Sequence, residues 1–304
     1  MDKSKFNGIL VPVISPLTPD GGVDFKAFEK VVRYVFEKGV DGLYVCGGTG
    51  DANYLRLEER KQLAELACRL CRENGKLCIV HTGARSTRDA VELVKHASSI
   101  GVDAVSSMPV IKSNRIQRKN YYEALAEAAG NTPLLIYYIP GVTLDIPLDE
   151  MLDLLEIKNV IGLKFSDANF FYLKRLLINK PDIVVYNGCD ELLVYGLLGG
   201  AGGGIGMNYN VFPELFVLIY KCFKEGDIAN AMKLQDALSA FLDPVFRYGL
   251  WESVEHTVKL RFGIENCFRE PNAVHVMNDG QKAEVAEAMK TLDGVIAEVA
   301  AAKK

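Results

Sequence analysis

Val160-Ile161-Gly162-Leu163-Lys164-Phe165-Ser166-Asp167 is a short apolar run with a lysine set inside it. Val160, Ile161, Leu163 and Phe165 suit a strand buried on both faces, the pattern of a parallel sheet covered by helices. An ammonium group in a dry strand is costly. A lysine so placed either snorkels to water from the strand end or gives up its proton. A neutral lysine is a nucleophilic amine, and its commonest use is Schiff-base formation with a ketone. This stretch alone leaves both readings of Lys164 open.

Outward from this strand the same kind of run recurs. Apolar runs lie at residues 8–14, 42–46, 77–81, 104–107 and 134–139 on the N-terminal side, and at 183–187 and 203–206 on the other. Each is followed by helix sequence. Asp24 is placed to N-cap a helix through Phe28, Val32, Val35 and Phe36, stopped by Gly39. Further helices are predicted over about 57–73, 86–101, 120–129, 147–155, 171–178, 191–198 and 211–223. Strand and helix alternating eight times predict a parallel sheet closed into a (β/α)8 TIM barrel, an α/β fold. A doubly wound open sheet is the alternative, but Gly48-Thr49-Gly50 lacks the third glycine of a dinucleotide fingerprint. After Gly226-Asp227 the strands stop. Helical periodicity over 228–246, 254–262 and 281–300 divides the chain into a barrel, 1–225, and a C-terminal helical extension, 226–304.

The composition is that of an ordinary globular chain, 49% apolar and 24% charged over 304 residues. A formal charge of −4, with no basic run interleaved with aromatics, gives no case for nucleic acid or an anionic membrane surface. No apolar stretch is long enough to span a bilayer and no signal core precedes the first strand, so a cytoplasmic location is expected. Seven cysteines, an odd number, fit reduced thiols there. Cys68 and Cys71 have CxxC spacing, but they sit in helix sequence with no second pair, and no metal site is expected. His81, His96, His256 and His275 are not spaced as ligands and receive no role.

In such a barrel, chemistry gathers at the carboxyl ends of the strands. There this sequence has Gly48-Thr49-Gly50, then Tyr137-Tyr138 with Ile139-Pro140, then Lys164 with Ser166 and Asp167. Asn187-Gly188-Cys189-Asp190-Glu191 follows the seventh strand and Gly206-Met207-Asn208 the eighth. Each alone has an ordinary explanation: a tight turn, a core tyrosine with a satisfied hydroxyl, an Asp-Glu pair capping the next helix. Their arrival on one rim, around a lysine in a buried strand, predicts a functional site.

These residues also carry a resemblance. Gly47-Gly48-Thr49-Gly50-Asp51 with Leu57-Glu58-Glu59-Arg60, Ile136-Tyr137-Tyr138-Ile139-Pro140, and Gly162-Leu163-Lys164-Phe165-Ser166-Asp167 occur in that order. Together they resemble the N-acetylneuraminate lyase and dihydrodipicolinate synthase superfamily of class I aldolases, over essentially the whole chain. Tyr186-Asn187-Gly188-Cys189-Asp190-Glu191 and the run from Gly203 to Asn210 look most like the sialic acid lyase branch, and Gly141 stands where the synthases have an arginine.

The resemblance implies that Lys164 attacks the C2 ketone of a 2-keto acid and that Tyr137 takes and returns the C4 hydroxyl proton. The Thr49 hydroxyl and the N–H groups of Gly48 and Thr49 would bind the pyruvate carboxylate. Asp190, Glu191 and Ser166 would hold sugar hydroxyls, with Gly188, Gly206 and Met207 completing the substrate-binding wall. No metal or organic cofactor is called for, and the partner expected besides the keto acid is a second copy of the chain, in a homotetramer. Some positions depart from the pattern: Gly48 replaces Ser or Thr, Asp51 replaces Glu, Ile111 a relay tyrosine, Leu144 a glycine and Met207 a polar residue. The activity implied is cleavage of a 2-keto-3-deoxy sugar acid, foremost N-acetylneuraminate to pyruvate and N-acetylmannosamine. The alternatives are a sister aldolase or dehydratase on another such acid, and a catalytically weakened keto-acid-binding protein.

Overall fold

Eight parallel strands hydrogen-bond in chain order and close on themselves, the eighth pairing with the first. They are β1 (Gly8–Pro12), β2 (Gly42–Val45), β3 (Leu77–His81), β4 (Ala104–Ser107), β5 (Leu134–Tyr138), β6 (Val160–Phe165), β7 (Val184–Asn187) and β8 (Gly203–Ile205). The connecting helices are α1 (Phe25–Glu37), α2 (Leu57–Glu73), α3 (Thr87–Ser99), α4 (Arg115–Ala129), α5 (Leu148–Leu154), α6 (Phe170–Asn179), α7 (Leu193–Gly199) and α8 (Pro213–Lys224). Three more follow: α9 (Ile228–Tyr248), α10 (Leu250–Phe262) and α11 (Asp279–Ala302). The computed structural model describes residues 3–110, 112–143, 145–269 and 276–303; Ile111, Leu144 and His275 lie outside the described residues. The expected TIM barrel with further C-terminal helices is what the chain forms.

Two apolar layers hold it together. The outer one lies between the strands and the helix ring. The inner one fills the barrel with Leu10, Tyr44, Ile79, Ala104, Leu135, Tyr137, Ile161, Val184, Tyr186 and Ile205, and Phe6 joins from the turn before β1. Local rules set most element ends. Asp24 caps α1 by accepting from the N–H groups of Lys26 and Ala27, as its position suggested.

Several boundaries differ from the sequence reading: β1 ends at Pro12 and not at 14, and α10 starts at Leu250 and not at 254. α4 starts at Arg115, earlier than residue 120, because Asn114 and Gln117 form a reciprocal capping box. Glu191 does not open α7; residues 190–192 form a separate 3-10 turn, and α7 starts at Leu193.

Candidate active site

The interior position of Lys164 depends on a bulge. Ile161 and Lys164 both belong to the barrel interior, yet they are three residues apart, an odd step that a regular strand would send to opposite faces. The register supplies the extra residue: Leu134 of β5 pairs with Val160 while Leu135 pairs with Gly162. Gly162 has φ +156°, and a Cβ there would lie 1.8 Å from the Val184 carbonyl oxygen, so only glycine fits. Beyond the bulge, Leu163 and Phe165 face the helix layer and Lys164 faces inward. Lys164 is 4% exposed. Its Nζ stands 4.2 Å from the ring centre of Tyr137 and 4.8 Å from that of Tyr44, and it has no hydrogen-bond or ion-pair partner among the described residues.

The tyrosine pair on β5 divides by face. Tyr138 stacks on Phe165 and Tyr172 outside the barrel. Tyr137 is inside, directly across the ladder from Lys164, with edge-to-face contacts to Tyr44 and His81. Tyr44 is anchored by its hydroxyl, which donates to Ser106 Oγ at 3.0 Å.

The loop after β2 turns sharply at both ends. Cys46 and Asp51 each have φ +57°, a conformation that non-glycine residues keep only where their surroundings impose it. Between them, the N–H groups of Gly48 and Thr49 have no acceptor among the described residues. Ser15 Oγ donates to the Gly50 carbonyl at 2.8 Å, and a Cβ on Gly50 would meet the Val13 carbonyl at 2.9 Å. Two adjacent free N–H groups at a cavity wall make a ready anion site. A Cβ on Gly48 would have no neighbour within 4 Å, so the space for a hydroxyl there is empty.

On the opposite side, Asp190 is buried, and its Oδ2 accepts from both the backbone N–H and the side-chain amide of Asn208, each at 2.7 Å. It does not cap α7. Burial raises its pKa to about 6, against the lowering effect of these two bonds. Gly206 is not on the cavity wall. It packs against Asp190, where a Cβ would lie 1.6 Å from Oδ1. Gly188 plays the same part for Ser166, whose buried Oγ has no partner among the described residues and would sit 1.9 Å from an added Cβ.

Lys164, Tyr137, Gly48, Thr49, Ser166, Gly188, Asp190, Glu191 and Met207 all line one cavity of about 500 Å³. Sequence reading missed three contributions to it. His81 sits behind Tyr137: its Nδ1 is 3.0 Å from the Cys46 carbonyl and its Nε2 accepts the Met108 N–H at 3.2 Å. Burial, with the nearby Arg60 charge, pushes its pKa down to about 3, so it is a neutral strut and not an acid. Arg60 is itself buried and donates to the His81 and Gly83 carbonyls, tying α2 to the end of β3. Leu242, Phe246, Leu250 and Trp251, from α9 and α10, close the cavity with an apolar wall. The glycine in β6 was the available signal for the bulge. For the wall there was none beyond the amphipathic pattern of the last helices.

Comparison with known proteins gives the family and the fold. Residues 5–292 match the Dihydrodipicolinate synthetase family. The chain is 31% identical over 255 residues to an N-acetylneuraminate lyase of Enterobacter sp. (strain 638), covering 83% of this chain and 85% of that protein. Among solved structures it is similar to a Ruminococcus gnavus sialic acid aldolase, with TM-score 0.90, 25% identity, and coverage of 97% of this chain and 99% of that one. An N-acetylneuraminate lyase from Mycoplasma synoviae superposes with TM-score 0.83 at 29% identity, covering 95% and 98%.

Proposed function

The chain belongs to the dihydrodipicolinate synthetase family, and from that membership we propose that it is a class I aldolase cleaving N-acetylneuraminate to pyruvate and N-acetylmannosamine. One observation carries the reading: a buried lysine amine, without a polar partner among the described residues, lies against a tyrosine in the wall of a cavity of about 500 Å³.

Lys164 Nζ adds to the C2 ketone, and loss of water leaves an iminium that draws electrons from the C3–C4 bond. Tyr137 takes the C4 hydroxyl proton as that bond breaks, releasing the aldehyde of the amino sugar. Tyr137 returns that proton to the enamine at C3, and water frees pyruvate from Lys164. The iminium is itself the electron sink, so neither a metal nor an organic cofactor is required. Gly48 and Thr49 hold the carboxylate through their N–H groups, which fits the unpaired state of both. Glu191 and Ser166 take sugar hydroxyls; Asp190, with Oδ2 committed to Asn208, offers Oδ1 alone. Gly188 and Gly206 act by leaving room for Ser166 and Asp190. Met207 and the Leu242–Trp251 wall make the far side apolar, which favours a less hydroxylated 2-keto-3-deoxy sugar acid as the second reading.

The protein works in the cytoplasm as a homotetramer. In support, all seven cysteines are free thiols, and Phe171, Ile178 and Leu198 on α6 and α7 are more than half exposed, an apolar area suited to a second copy. Among the described residues no helix is long and apolar enough to cross a membrane.

Borohydride reduction in the presence of pyruvate, read by mass on the Lys164 peptide, tests the imine. Pyruvate release from N-acetylneuraminate, coupled to lactate dehydrogenase, tests the reaction. Both signals disappear in Lys164→Ala. A parent protein that forms no adduct refutes the proposal, and release from other 2-keto-3-deoxy sugar acids alone selects the second reading.

A further inference from the structure

The loop bearing Gly48 and Thr49 is held from outside the barrel by one residue of the C-terminal part of the chain. Arg269, just beyond α10, donates its backbone N–H to Asp51 Oδ2 at 2.7 Å. Its guanidinium grips Glu59 with two bonds, 2.7 and 2.8 Å, and donates to the carbonyls of Tyr54 and Gly21 at 2.8 and 3.0 Å. Glu59 in turn accepts the Arg56 N–H at the start of α2 at 2.7 Å. One arginine therefore ties down both the strained residue that ends the turn and the segment from Asp51 to Tyr54, every member of which lines the cavity. The pair is shielded, with side-chain exposures of 19% for Arg269 and 10% for Glu59, so its bonds are not those of a loose surface contact. The preceding residue, Phe268, is buried edge-on against Trp251 of the cavity wall, at 4.9 Å between ring centres.

We propose that Arg269 is a positioning residue for the keto-acid carboxylate: it holds the turn in which the Gly48 and Thr49 N–H groups converge, and so sets affinity for 2-keto acids. This rests on the reading of the site given above. The amine and Tyr137 stand on β6 and β5, which Arg269 does not touch, so its loss acts on keto-acid binding and leaves the bond-breaking step intact.

The experiment compares the parent, Arg269→Gln and Arg261→Gln. The last breaks another ion pair of the C-terminal helices, to Asp293, and neither Asp293 nor Phe212, on whose ring Arg261 lies, belongs to the loop. The readouts are the pyruvate concentration that half-saturates borohydride trapping, and KM and kcat for N-acetylneuraminate cleavage. In Arg269→Gln the half-saturating pyruvate and KM rise about tenfold while kcat stays within about threefold, and Arg261→Gln leaves all three unchanged. If Arg269→Gln does not accumulate as folded protein, Arg269→Lys is compared in its place, since it keeps the charge beside Glu59 but not the fork. Unchanged half-saturation in a folded variant overturns the proposal, as does an equal shift in Arg261→Gln. Failure of the parent to form any adduct is a different result: it refutes the reading of the site and removes the affinity on which the clamp would act.

Discussion

Asp190 joins a cost in stability to a place in the cavity, and the cost follows from its surroundings. Its folded pKa of about 6 stands above the ordinary 3.8, chiefly through burial. At about 1.4 kcal/mol per pKa unit, the charged carboxylate costs the fold about 3 kcal/mol once both folded and unfolded states are ionised. The sign follows from the raised value. The protonated form is favoured by folding, so this group's contribution is fully present below pH 3.8, fades as pH rises through about 6, and is gone above it. Asp190→Asn removes that dependence and keeps an oxygen to accept both Asn208 donors. The variant is therefore expected to be more stable than the parent by up to about 3 kcal/mol at pH 8, with the difference closing towards pH 4. Urea unfolding at fixed protomer concentration, repeated from pH 4 to pH 8, measures it; groups common to both proteins cancel in the difference. A difference that does not vary with pH, or that grows as pH falls, would refute the reasoning. The same variant should raise KM for the sugar acid, because one acceptor on the cavity wall becomes a donor.

Three further outcomes follow from the geometry. Tyr137→Phe should form the pyruvate adduct normally but cleave about 10²–10⁴-fold more slowly, since only the proton transfer is lost; adduct mass and kcat distinguish the steps. Gly188→Ala drives a Cβ into Ser166 Oγ and should cost about 1–3 kcal/mol, most of it recovered on adding Ser166→Ala, where the next atoms lie at 3.0 Å and beyond. Gly48→Ser meets empty space and no positive φ, so thermal unfolding should move little, by under about 0.5 kcal/mol. If its hydroxyl restores a missing proton relay, kcat should rise by about tenfold or more; a stable variant with unchanged kcat rules that out.

The sequence by itself determined the barrel, because strand and helix periodicities are local and the eightfold alternation has one economical closure. It determined which residue types meet on the rim, since that face collects whatever follows each strand. Tertiary structure decided what those residues do. Lys164 points inward only because Gly162 lets β6 gain a residue against β5, a register effect spanning two strands. The Asp190 carboxylate turns to Asn208 and not to its own helix, a bond between positions 18 apart. Arg269 reaches Asp51 across 218 positions, and Trp251 joins the cavity from a helix whose pattern says only that one face is covered. Contacts of that range leave no period in the chain, and they exist only once the folded ring brings its ends together.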